Sequence, residues 1–216
     1  MRYFLEFSYN GKSYHGWQNQ PNAISVQEVM ENALSILLRN KTDIVGAGRT
    51  DSGVHAKQMF AHFDVNIPVD RDDLLHKLNS FLPADISIYN IHEVNDKAHA
   101  RFDAVSRTYE YWITQCKNPF LSDYSYCMKS PLDIKKMNEV SKILFEYDDF
   151  QCFSKSRTDV KTYICHIMEA NWRSDNEKLV FTIKADRFLR NMVRAIVGTL
   201  IEVGTNKLSK IGRAHV

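Results

Sequence analysis

Apolar and polar residues alternate from residue 3 to residue 9, the period of a strand with one face covered. Ser25 then precedes a helical stripe of Val26, Val29, Met30, Ala33, Leu34 and Leu37, with Glu28 three residues beyond it. That spacing predicts a helix opened by a capping box, the serine facing one free amide and the glutamate the other. Strand-like runs follow at 42–47 and 57–65. A second amphipathic helix is predicted over 71–81, burying Leu74, Leu75, Leu78 and Phe81, with Pro83 ending it and a strand at 86–94 after it. The order is βαββαβ, the ferredoxin-like split βαβ unit.

The second half nearly repeats this order. A strand is predicted over 104–115 and a helix over 133–146 carrying Ile134, Met137, Val140 and Leu144. Strands at 162–173 and 178–185 follow, the latter alternating Leu179, Phe181, Ile183 and Ala185. A last helix over 188–203 would stop at Gly204 as a C-cap. That is βαββα, one strand short of a second unit. The expected architecture is α+β, with one half at 1–100 and the other at 101–216, their sheets able to join into one.

Composition adds little to this. Apolar residues make up 44% and charged residues 25% of the 216, an ordinary soluble balance. The net charge of +2 is unevenly spread: residues 1–100 carry 9 Lys/Arg against 12 Asp/Glu, and residues 101–216 carry 19 against 14. The second half is therefore the one expected to face a polyanion. Cys116, Cys127, Cys152 and Cys165 form no Cys-x-x-Cys pair, which points to reduced thiols rather than a zinc site. No His-x-x-x-His pair occurs, so no metal site is expected. With no signal-like or membrane-length apolar run, a cytoplasmic protein without a membrane partner is expected.

The candidate chemistry lies in Gly48-Arg49-Thr50-Asp51-Ser52-Gly53-Val54-His55-Ala56, between two strand-like runs. A lone Asp in a glycine-flanked turn is ordinarily a turn former. Here Arg49 lies two residues from Asp51, and a neighbouring cation favours the ionised form of a carboxylate. An ionised, positioned carboxylate can act as nucleophile, general base or metal ligand. A strand, not a helix, follows these glycines, which argues against a dinucleotide cofactor.

The run resembles the catalytic-aspartate motif of the TruA-type tRNA pseudouridine synthases, and three further segments extend the resemblance in order along nearly the whole chain. Tyr9-Asn10-Gly11-Lys12-Ser13-Tyr14-His15-Gly16-Trp17-Gln18, with Ser25-Val26-Gln27-Glu28 after it, resembles the family's first signature. The stretch from Ala100 to Tyr111 (Ala-Arg-Phe-Asp-Ala-Val-Ser-Arg-Thr-Tyr-Glu-Tyr) resembles the segment with the active-site tyrosine. Arg187-Phe188-Leu189-Arg190-Asn191-Met192-Val193-Arg194 resembles the family's Phe-Leu-x-x-Met-Val-Arg helix start.

The resemblance implies a pseudouridine synthase fold, two ferredoxin-like halves forming an extended antiparallel sheet with flanking helices and a central cleft. It implies a cofactor-independent isomerase acting on uridines 38, 39 and/or 40 of the tRNA anticodon stem-loop, and a homodimer. Asp51 would be the essential carboxylate, Tyr109 the tyrosine stacked on the base, and Arg194 the partner of the aspartate. Tyr111 shares a strand face with Tyr109, and only the Arg-Thr-Tyr context favours Tyr109. Arg49 is cast as a wedge or phosphate contact, and Lys155, Arg157, Lys161 and Arg190 as RNA ligands. Tyr14, His15 and Trp17 would either stack on RNA or cover a sheet edge, with Trp17 leaning to the structural role. The ending Ile211-Gly212-Arg213-Ala214-His215-Val216 matches the translation of a common sequencing-adapter read-through. The native C-terminus is therefore expected to be replaced and a final strand lost.

Two other classes compete. A non-catalytic RNA-binding protein could use the same halves as stacking platforms, but RNP-type aromatic strand motifs are absent from the sequence. An aspartate-dependent hydrolase would need a second carboxylate, and none stands out beside Asp51.

Overall fold

The computed structural model describes residues 1–155 and 160–208. Arg157 and the ending at 211–216 lie outside the described residues. The chain forms two compact units that divide after Ala104. Among the described residues the strands group into two four-stranded sheets, one in each unit.

The first unit follows the order β1 (Arg2–Tyr9), α1 (Val26–Leu37), β2 (Val45–Gly46), β3 (Ala56–Asp64), α2 (Arg71–Phe81) and β4 (Ile86–Val94). The sheet order is β2-β3-β1-β4 with antiparallel neighbours, the arrangement of a split βαβ unit. Alternation in β1 sends Tyr3, Leu5, Phe7 and Tyr9 to one face, where Met30 and Leu34 of α1 and Leu74 and Leu78 of α2 cover them. Burying side chains of this size stabilises by roughly 1.5–3 kcal/mol each before entropy is counted. Ser25 caps α1, its Oγ accepting from Glu28 N at 3.1 Å.

Two expectations change here. The strand expected at 42–47 is only two residues long, because α1 side chains take its backbone bonds. Thr42 N donates to Ser35 Oγ, Ile44 N donates to Glu31 Oε1, and Gln27 Nε2 donates to the Ile44 carbonyl. Phe81 is half exposed rather than buried. The chain turns extended at Leu82, which takes the buried position instead.

The second unit runs β5 (Arg107–Thr114), β6 (Tyr126–Cys127), α3 (Ile134–Ser141), β7 (Ile167–Asp175), β8 (Lys178–Ala185) and α4 (Met192–Gly204). Its sheet order is β6-β5-β8-β7, with β6 a short parallel addition that no sequence pattern announced. Met137 of α3 and Ile196, Val197 and Leu200 of α4 pack with Ile113, Trp172, Phe181 and Ile183.

The helix expected over 133–146 is α3 followed by a 3₁₀ turn at Lys142–Glu146. Ser141 Oγ donates back to the Met137 carbonyl where the helix tightens. The strand expected from 162 begins at Ile167, because residues 163–165 pair with 148–150 outside the sheet. The helix expected from 188 starts at Met192, since Asn191 adopts a left-handed conformation with φ 67°. Gly204 is not the left-handed cap; Asn206 holds that conformation at φ 60°. Gly204 instead permits close packing on α3, as a Cβ there would lie 2.5 Å from the Met137 sulfur.

The end of the first unit rests on a buried histidine. His62 is 4% exposed, and its Nδ1 accepts from Ala100 N at 3.2 Å, which requires that nitrogen to be unprotonated. Its ring meets His99, which in turn packs on Phe102. Burial, then the charge of Arg2 and the neighbouring His99, pushes the His62 pKa down to about 4, against the opposing pull of Asp64 and Asp103. The unfolded chain takes up this proton below the ordinary histidine value near 6.5, while the folded chain resists to about 4. Stability should therefore fall as pH drops through that window, by about 2 kcal/mol at pH 5 from this group. Thermal midpoints at pH 7 and pH 5 test this, with His62→Gln expected to shrink the difference. An equal difference in the variant would assign the acid sensitivity to other groups.

Candidate active site

Asp51 sits in the loop joining β2 to β3, exposed to solvent, as is Arg49. The loop is laid on the segment that follows β1. Trp17 N donates to the Thr50 carbonyl at 3.2 Å, and Gly53 N to the Tyr14 carbonyl at 3.3 Å. Ser52 Oγ also donates to the Tyr14 carbonyl. The Tyr9 and Thr50 hydroxyls share a hydrogen bond of 2.9 Å, and Gly11 N donates to His55 Nδ1 at 3.1 Å. At Gly11 a Cβ would stand 2.0 Å from the Val54 carbonyl oxygen. Thr50, Ser52, Gly53, Val54 and His55 are thus all set by residues 9–17, which fixes the backbone on either side of Asp51.

Tyr14 and Trp17 are buried, and the Trp17 ring stacks on Phe7 with centroids 5.5 Å apart. Gly46 faces that indole, where any Cβ would lie within 2.7 Å of three indole atoms. Trp17 is therefore the floor of the loop rather than a surface for RNA. His15 remains exposed.

In the second unit Tyr109 and Tyr111 share the inner face of β5 and are partly buried against its core. Tyr109 meets Phe188 edge-on at 5.1 Å. Tyr111 lies within electrostatic reach of Arg194, which offsets part of the upward pKa shift that burial imposes on its phenol. The turn carrying Phe188 and Arg190 is fixed by Asp186, whose Oδ1 accepts from His166 N and Arg187 N at 2.8 and 2.7 Å. Arg107 donates to the Asp186 carbonyl from β5. Lys155 N donates to the Arg190 carbonyl, which brings two of the expected RNA ligands together. Lys155, Lys161, Arg190 and Arg194 are all exposed.

Sequence reasoning missed Tyr14, Asp85, Thr50 and His55 as supports of the Asp51 loop. Tyr14, Thr50 and His55 lie inside the quoted motifs. Asp85 carries no local signal, because its bond to Tyr14 spans 71 residues. Among the described residues no group of three or more His, Cys, Asp or Glu could hold a metal ion, and no helix is long and apolar enough to cross a membrane.

The family described as tRNA pseudouridine synthase matches residues 7–103 and 147–211. Relatives named tRNA pseudouridine synthase A are similar along nearly the whole chain. The one from Bacteroides fragilis is 58% identical over 210 residues, 96% of this chain and 83% of its own. That from Parabacteroides distasonis is 55% identical over 216 residues, covering 100% and 86%. A more distant one from Bacillus licheniformis is 38% identical over 213 residues, covering 97% and 86%. With the four motifs in order and the Asp51 loop built on its own signature segment, the chain belongs to the tRNA pseudouridine synthases, a family of isomerases.

Proposed function

We propose that the protein converts uridine to pseudouridine in the anticodon stem-loop of tRNA, at positions 38, 39 and/or 40, with Asp51 as the essential carboxylate. The observation that carries this reading is the Asp51 loop, an exposed carboxylate on a backbone held from both sides by residues 9–17. The reaction breaks the N1–C1′ bond, turns the base and joins C5 to C1′. The C5 proton leaves and N1 gains one, so no atom is added, no electron is transferred and no cofactor is required.

Asp51 supplies the anionic group near C1′ and C6. Tyr109 stacks on the detached base and assists departure of the C5 proton. Arg194 holds the aspartate charged and oriented, as a bidentate guanidinium does best. The target uridine must leave its stack at a cost of a few kcal/mol. Arg49 offsets that cost as a wedge or phosphate contact, and Lys155, Arg157, Lys161 and Arg190 contribute phosphate contacts. The enzyme acts in the cytoplasm as a homodimer, each tRNA being held across two subunits.

Tritium release from tRNA labelled as [5-³H]uridine tests the proposal. Release should reach at most three equivalents per tRNA, and a transcript with cytidine at 38–40 should release none. Release undiminished in that transcript would move the target outside the anticodon arm. No release from a folded protein that binds tRNA would favour the non-catalytic RNA-binding reading.

A further inference from the structure

We propose that Asp85, acting through Tyr14, is a positioning residue for the Asp51 loop, an inference that rests on Asp51 being the essential carboxylate. Asp85 is placed by the turn between α2 and β4, where Ile86 N donates to the Pro83 carbonyl. From there it grips the 10–17 segment at two points. Its carbonyl accepts from Asn10 N at 2.8 Å, and its Oδ1 accepts from the Tyr14 hydroxyl at 2.6 Å. Tyr14 is 4% exposed, and its hydroxyl donates to this carboxylate. Burial, reinforced by the Asp85 carboxylate, pushes the phenol well above its ordinary range, which keeps it a donor at any working pH.

The consequence reaches the loop through the other end of the same residue. The Tyr14 carbonyl accepts from both Gly53 N and Ser52 Oγ, the two residues immediately after Asp51. A shift of Tyr14 therefore moves the backbone that aims the Asp51 carboxylate. The effect is transmitted through the chain, without contact between Asp85 and RNA. Such a misplacement lowers the rate of the chemical step while leaving the phosphate contacts that set affinity in place.

Tyr14→Phe, Asp85→Ala and the double variant test this by tritium release, with Asp51→Asn beside them and thermal midpoints recorded for all. Each single change should lower kcat about tenfold with KM for tRNA within about twofold of wild type. The double variant should be no slower than the slower single one, because both changes break one bond. Wild-type kcat in the single variants, with Asp51→Asn inactive, would overturn this inference alone. Losses that multiply in the double variant would also overturn it. Turnover by Asp51→Asn would remove the reading on which it rests.

Discussion

Asp51→Asn should lower turnover by at least about 10⁴-fold while tRNA affinity stays within about threefold of wild type. The size of the first effect follows from the chemistry. A carboxylate that attacks, or takes a proton, contributes a bond-making step that an amide cannot perform. The smallness of the second follows from the loop. Its path is set by Thr50, Ser52, Gly53, Val54 and His55 against residues 9–17, and the Asp51 side chain is exposed to solvent. Exchange of a surface carboxylate for its amide ordinarily alters stability by no more than about 0.5 kcal/mol. Filter binding and tritium release on one preparation separate the two effects. Parallel losses of binding and turnover would reassign Asp51 to affinity, and near-normal turnover would take it out of the chemistry.

What the sequence made legible was the periodic part. Ser25 and the stripe behind it gave α1, and Leu74 with Leu78 gave α2, because a helix buried on one face writes its period into the chain. Two of the failures share a physical cause, which is that side chains took over backbone bonds. Glu31 and Ser35 of α1 bind the amides of Ile44 and Thr42, so β2 is short although the residues there look like a strand. Asp186 and the left-handed Asn191 hold the 187–191 turn out of α4, although Phe188 and Met192 have helical spacing.

The site divides in the same way. Asp51 stood out because glycines and two strand-like runs framed it. The Tyr14–Asp85 bond could not be read, since nothing local marks a partner 71 residues away. Period two left Tyr109 and Tyr111 equivalent. The structure distinguishes their surroundings, Phe188 beside the one and the charge of Arg194 near the other.

Gly16→Ala should be more damaging than the same change at Gly53 or Gly48, costing about 2–4 kcal/mol of stability and more than tenfold in kcat. Two penalties coincide at this position. Its φ of +90° is a conformation that L side chains rarely adopt, and a Cβ there would lie 2.4 Å from the Thr50 carbonyl oxygen. Relief requires either residue 16 or Thr50 to move. Movement of residue 16 would loosen the Val26 N bond to the Gly16 carbonyl at the start of α1. Movement of Thr50 would loosen the Trp17 N bond and displace the residue just before Asp51. Two nearby glycines separate the contributions. Gly53 also has positive φ, +74°, but a Cβ there meets nothing within 4 Å, so Gly53→Ala should show the backbone penalty alone, about 1 kcal/mol. Gly48 has open space and no such backbone constraint, so Gly48→Ala should leave stability within about 0.5 kcal/mol. Denaturant midpoints and tritium release for the three variants give the order. If Gly16→Ala proves no worse than Gly53→Ala in both, the close approach to Thr50 is not what holds the Asp51 loop in place.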